Sequence, residues 1–133
     1  MTPEAKVKSE ALKLYKKHGV KYDRAAQNGM GRNGRADDIV CRNGHFIGIE
    51  AKKLDVAKVT KLQQIWLDDC VNCGGSSMVL NAENLWLLDK VLSSSAYRIT
   101  AMFAPAKEGA TCTGHTVEWP GYTKFVPMTD KSM

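Results

Sequence analysis

No apolar run in this sequence approaches the ~20 residues that a helix needs to cross a bilayer. The N-terminal stretch MTPEAKVKSEALKLYKK is charged throughout and lacks the apolar centre of a secretory leader. The expectation is a cytoplasmic protein. Cysteine is scarce, at Cys41, Cys70, Cys73 and Cys112, and in that compartment free thiols are expected rather than disulfides. Cys70 and Cys73 have the two-residue gap of a zinc knuckle or redox pair. No second ligand pair follows at metal spacing, and Gly74-Gly75 come directly after, so neither role is expected. The glycine-rich stretch 27–35, QNGMGRNGR, lacks the Gly-Lys-Ser/Thr ending of a nucleotide phosphate loop. It reads either as a flexible surface loop or as backbone able to approach a phosphate closely. There is no internal repeat and no low-complexity tract.

The 133 residues suffice for one domain with a real core, and not for two. Apolar content of 44% and charged content of 25% are ordinary for a globular chain. The net charge of +5 and pI near 9.1 suit an anionic partner such as nucleic acid without identifying one.

Residues 3–18 read as a helix. Pro3 suits the first turn, Glu4 the positive end, and Lys16, Lys17 and His18 the negative end, with Gly19 as the stop. Its apolar stripe is Val7, Ala11 and Leu14, joined by Leu12 and Tyr15. Residues 20–26 suggest a short strand. Two strands are predicted at 37–42 and 45–52, joined at Asn43-Gly44, a strong hairpin signal. After a polar linker, Thr60-Lys-Leu-Gln63 is a capping box that opens a helix to about Cys73, with Leu62, Ile65, Trp66, Asp69 and Cys70 on one side. A strand at 77–81, a helix at 82–92 capped by Asn81, and a strand at 97–104 complete the pattern. In the tail, 116–119 and 122–125 flank Pro120-Gly121, as a small hairpin or an extended arm.

The hairpin poses a chemical question, because charges sit at both far ends of a run that otherwise reads as buried. With a two-residue turn, Arg42 pairs with His45, Ile39 with Gly48, and Asp37 with Glu50. Opposed residues share a sheet face, with Cβ atoms roughly 5 Å apart. Lys52 lies on that face ~7 Å further along. Asp38 then faces Ile49 and points to the other side. A three-residue turn would instead pair Asp38 with Glu50. Two opposed carboxylates repel, and Lys52 offsets only one charge. A divalent cation would turn that liability into a site, and two hard carboxylates suit Mg²⁺, which keeps waters and accepts phosphate oxygens. A solvated strand end with a Glu–Lys pair is the alternative.

Asp37, then thirteen residues on Glu50-Ala51-Lys52, resembles the PD-(D/E)xK nuclease signature, with Ala36 where the usual proline stands. More closely, the succession Gln27-Asn-Gly-Met-Gly, Arg35-Ala-Asp37, Ile49-Glu-Ala-Lys52, Thr60-Lys-Leu-Gln63 and Gly74-Gly75 is similar to the virus-type replication-repair nuclease family in its short stand-alone form, common in phages. The match runs from about residue 7 to 92 and leaves the tail uncovered. The resemblance implies an α/β fold with a restriction-endonuclease-like core of helix, mixed sheet, helix and strand over about 3–92. An extension over about 97–133 would complete a single nuclease domain. It implies Mg²⁺- or Mn²⁺-dependent phosphodiester hydrolysis, in the host cytoplasm if phage-encoded. Carried over by position, Asp37, Glu50 and the Ala51 carbonyl hold the metal, Lys52 orients or activates the water, and Gln63 stands near the metal. The family often has a glutamate on its first helix, for which Glu10 is the best candidate.

Arg32, Arg35, Lys53, Lys58 and Lys61 flank this site in sequence and would hold DNA phosphates without base choice. The plainer reading is a solvated basic face. Trp66 and Trp86 are expected in the core, whereas Trp119 could face a partner. No histidine is expected to act as ligand or base. Three functions compete: a structure-selective endonuclease acting on branched or junction DNA, a generic DNase or nickase, and an inactive DNA-binding module. A resolvase must make two matched cuts, so the first reading carries an expected homodimer. The intact Asp37, Glu50, Lys52 and Gln63 argue against the third.

Overall fold

A computed structural model describes residues 2–25, 34–53, 58–94 and 96–131. In chain order the elements are α1 Pro3–His18, β1 Lys21–Arg24, β2 Asp38–Arg42, β3 His45–Ala51, β4 Lys58–Val59, α2 Lys61–Asn72, β5 Ser76–Leu80, α3 Leu85–Ser93, β6 Arg98–Pro105, β7 Ala110–Trp119 and β8 Tyr122–Pro127. The fold is mixed α/β. No described helix is long and apolar enough to cross a membrane.

The first sheet runs β1-β2-β3-β5, antiparallel except for the parallel β3–β5 pair. Its central hairpin has the predicted two-residue turn. Asn43 at φ 52° and Gly44 at φ 78° make both turn positions left-handed, as the favoured hairpin turn requires. Arg42 pairs with His45 and Asp38 with Ile49, so the shorter of the two registers considered is the one adopted.

Alternation then sorts the side chains. Val40, Ile47, Ile49, Ala51, Met78 and Leu80 face α1 and α3, where Val7, Ala11, Tyr15, Leu87, Leu88 and Val91 complete the main core. Gly48 and Val79 face α2. A Cβ at Gly48 would come within 2.7 Å of the Trp66 ring, so the missing side chain is what lets α2 approach. The Thr60 capping box forms as predicted. The predicted apolar side of α2 holds only in part, at Trp66 and Cys70. Leu62 and Ile65 are 55% and 46% exposed, while Leu67 and Cys70 are buried. The reason is a second sheet that periodicity could not reveal. Leu67 is gripped between Val79 and the residues Val59, Ala101, Ala110 and Cys112 of that sheet.

The tail forms the meander β6-β7-β8, with β4 added beside β8 on β7. Pro120 and Gly121, the latter at φ 90°, make the tight turn. The strand at 97–104 and the hairpin reading of 116–125 hold, and β7 begins six residues earlier than expected, at Ala110. Trp119 is only 7% exposed and stacks on Tyr122 at 5.0 Å, so it closes the core rather than facing a partner. The meander is joined to β5 by side chains. Ser76 Oγ accepts the Ile99 N–H at 3.0 Å, Ser77 Oγ accepts the Ala101 N–H at 2.9 Å, and His115 Nε2 accepts the Val79 N–H at 3.0 Å. The last bond satisfies a β5 N–H, the first two satisfy N–H groups of β6, and together they place the meander over the outer edge of β5.

Candidate metal centre

The two adjacent aspartates go to opposite faces, as a period of two requires. Asp38 is buried under α1. Its Oδ2 accepts from the Tyr15 hydroxyl at 2.8 Å, and Arg24 spans both its oxygens at 2.8 and 3.0 Å. The remaining nitrogen contact of Arg24 goes to the Lys8 carbonyl at 3.0 Å. Burial together with the Asp38 charge pushes the Tyr15 hydroxyl far above its ordinary pKa, so it stays a donor. Asp38 is therefore a fastening of α1 to the sheet.

Asp37 lies beside Glu50, the partner that the hairpin register selects. The Asp37 N–H donates to Glu50 Oε1 at 3.2 Å, and Asp37 Oδ2 accepts the Ala51 N–H at 2.9 Å. Glu50 Oε2 accepts from Gln63 Nε2 at 2.8 Å and lies 3.5 Å from Lys52 Nζ. Gln63 Oε1 accepts both the Thr60 N–H at 2.9 Å and Lys52 Nζ at 3.2 Å. The same oxygen thus caps α2 and holds the lysine. Asp37, Glu50, Lys52 and Gln63, predicted to share a site, are brought together here. Ala51 enters it through its N–H.

Glu50 is 3% exposed. Burial first and the Asp37 charge second push its carboxyl up to about 8, against the pull of Lys52. A carboxylate so disfavoured as an anion has a standing demand for positive charge.

The carboxylate that α1 contributes is not the predicted one. Glu4, Asp37 and Glu50 each offer an oxygen, and the three oxygens lie within 4.8 Å of one another, the one such group among the described residues. Glu10 is exposed and paired with Lys13 at 3.1 Å. The reason is angular. Around the helix Glu10 lies roughly 100° from the centre of the Val7–Ala11–Tyr15 stripe, whereas Glu4 lies within about 20° of it. Lys8, one turn on, also points in, with Nζ 3.0 Å from Asp37 Oδ1. The available signal was a helix whose buried stripe carries two charged residues at its N-terminal end.

The donor set fits a hard divalent ion. It is all oxygen, with three carboxylates converging from β3, from the residue that precedes β2 and from α1. With ~2.1 Å bonds, two oxygens on one Mg²⁺ stand about 3–4 Å apart, which is within side-chain rotation of the spacing seen. Cys70 and Cys73 are free thiols beside Phe46 and Trp66, toward the other end of α2.

Of the expected phosphate contacts, Lys53 and Lys61 are exposed and Lys58 is half-buried. Lys58 and Lys61 flank the N-terminus of α2. Arg35 is turned inward, donating to Asp23 Oδ2 at 2.8 Å. Arg32, with the glycine-rich stretch before it, lies outside the described residues. His115 is fully buried and its pKa falls to about 4, so it is a neutral acceptor.

No protein-family model, curated protein or solved structure matches this chain.

Proposed function

We propose that the chain is a Mg²⁺- or Mn²⁺-dependent DNA endonuclease with a restriction-endonuclease-like core. The observation that carries this reading is the joining of Lys52 and Gln63 to Glu50 beside Asp37 and Glu4. Phosphodiester hydrolysis needs an activated water, charge neutralisation on the phosphate and a stabilised leaving oxygen. A divalent cation, when bound, lowers the pKa of its water and neutralises the phosphate. Glu4, Asp37 and Glu50 would hold it, with the Ala51 carbonyl as a further ligand. Lys52 would orient the attacking water and meet charge developing on the phosphate. Gln63 fixes the Lys52 ammonium and, through the cap, ties its position to α2. Lys53, Lys58 and Lys61 would hold backbone phosphates, giving salt-sensitive binding without base choice.

Branched or junction DNA is the proposed substrate, cut by a homodimer with paired sites. Tyr122 and Phe125, 57% and 47% exposed on β8, suit such an interface. A second reading, a monomeric nickase or general DNase, is favoured by the return of the tail onto its own sheet. The test is incubation with four-way junctions, flaps, duplex and single strands, in Mg²⁺, Mn²⁺ or EDTA, beside Lys52→Ala. Metal-dependent cutting lost in Lys52→Ala is expected, with DNA binding retained. Metal-independent cutting, or full turnover in Lys52→Ala, refutes the mechanism. A sedimenting monomer that cuts duplex as fast as junctions selects the second reading.

A further inference from the structure

The Lys8 ammonium stands where a cation serves the site. It is 3.0 Å from Asp37 Oδ1, and both side chains are largely shielded from water. The other Asp37 oxygen is taken by the Ala51 N–H, and both Glu50 oxygens have donors. Of the two Asp37 oxygens, Oδ1 is thus the one whose partner is a side-chain cation rather than a backbone group. The placement is also enforced. Arg24 grips Asp38 with two nitrogens and the Lys8 carbonyl with one of them, so the strand carrying Asp37 and the helical turn carrying Lys8 are fastened to each other. Glu4, one turn earlier on the same face, is held by the same fastening. Three carboxylates and two lysines converge here, and a divalent ion would make the Lys8 charge redundant at Asp37.

We propose that Lys8 is the resident counter-cation of this centre. It holds Asp37 when no divalent ion is bound and must leave Asp37 for one to bind, which weakens the affinity for the ion. The proposal rests on the metal-centre reading above and adds a residue to it. Exchange of this kind is a linkage between two cations for one carboxylate. Removing the competitor raises the affinity for the other by the strength of the lost contact.

The test is Mn²⁺ binding to the whole chain, followed by the loss of the free-ion electron paramagnetic resonance signal. It compares wild type with Lys8→Met, Lys8→Gln and Lys8→Arg. Methionine keeps the apolar stem, glutamine keeps a hydrogen bond to Asp37 without charge, and arginine keeps the charge. Both neutral variants are expected to bind Mn²⁺ roughly tenfold more tightly, about 1.4 kcal/mol, with Lys8→Arg within about threefold of wild type. Thermal melts in EDTA should show the neutral variants less stable than wild type, and Mn²⁺ should raise their melting temperatures more. Should methionine at this position prevent folding, the glutamine variant carries the same expectation. Wild type that binds Mn²⁺, with neutral variants that bind it equally or less well, overturns the role of Lys8 and leaves the metal centre standing. Failure of every protein to bind Mn²⁺ overturns both.

Discussion

Glu50 should make the metal-free protein less stable as the pH rises, the reverse of an ordinary paired carboxylate. Its folded pKa of about 8 lies above the ordinary 4.5. Between those values the folded chain keeps a proton that the unfolded chain has released. Its contribution is therefore complete below about pH 4.5 and is lost progressively as the pH climbs through 8. The gap spans about 3.5 pH units, which at ~1.36 kcal/mol each sets a ceiling near 5 kcal/mol. Closer approach of Lys52 to the ionised carboxylate would reduce this to on the order of 2–3 kcal/mol, the scale of a partly relaxed buried charge. The measurement is urea unfolding in EDTA from pH 5 to 9 for wild type and Glu50→Gln. Glutamine does not titrate but still offers Oε1 to the Asp37 N–H. Its new amide group meets the Gln63 amide, which adds a constant offset. Other titrating groups cancel in the difference, so wild-type stability minus variant stability should fall steadily with pH. Addition of Mn²⁺ at pH 8 should recover more stability in wild type than in the variant, because the ion binds the charged form. Parallel curves in EDTA would refute the claim that burial and Asp37 hold a proton on Glu50.

Asp38→Ala should destabilise the fold by roughly 3–5 kcal/mol, because it strands the half-buried Arg24 and the buried Tyr15 hydroxyl. Asp37→Asn should cost far less in denaturant midpoint while abolishing Mn²⁺ binding, and equal destabilisation by the two would contradict their division of labour. His115, buried with its pKa lowered to about 4 from 6.5, contributes stability that is present above pH 6.5 and lost as the pH falls toward 4. Over that gap of about 2.5 pH units the loss is at most ~3.4 kcal/mol, and it should be absent from the acid limb of His115→Gln unfolding curves.

The hairpin and its chemistry were legible because both are local. Asn43-Gly44 sets the turn, the turn sets the register, and the register alone decides that Asp37 rather than Asp38 stands beside Glu50. Gln63 was legible because a capping box has a fixed spacing. Glu4 and Lys8 are less legible, because the family resemblance points to a mid-helix glutamate, although the stripe of Val7, Ala11 and Tyr15 turns their side of α1 inward. The face of α2 was legible only in part, at Trp66 and Cys70. Leu62 and Ile65 look like core residues by period, and only the unforeseen meander, closing over Leu67, decides which side is buried. Nothing in the spacing of β6, β7 and β8 announces that they will pack there.

That meander gives the tail a role at the site even though none of the predicted site residues lies in it. Helix α2 carries Gln63, and α2 is seated by Leu67 against residues that β4, β5, β6 and β7 supply together. Strands β6 and β7 are joined to β5 through Ser76, Ser77 and His115, and β5 pairs in parallel with β3, which carries Glu50. The path from the tail to the Glu50–Gln63 contact is thus a chain of buried packing and hydrogen bonds, with Thr60 fixing its last step at the start of α2. On the opposite face the same division holds with different parts, since Tyr15, Arg24 and Asp38 fasten α1 and so set Glu4 and Lys8 beside Asp37. Each carboxylate of the centre is held by a separate element, and each of those elements is anchored by a buried contact that does not itself touch the centre. The convergence of Glu4, Asp37 and Glu50 is thus set by the fold itself, with Lys8 and Lys52 beside Asp37 and Glu50 offsetting part of their charge.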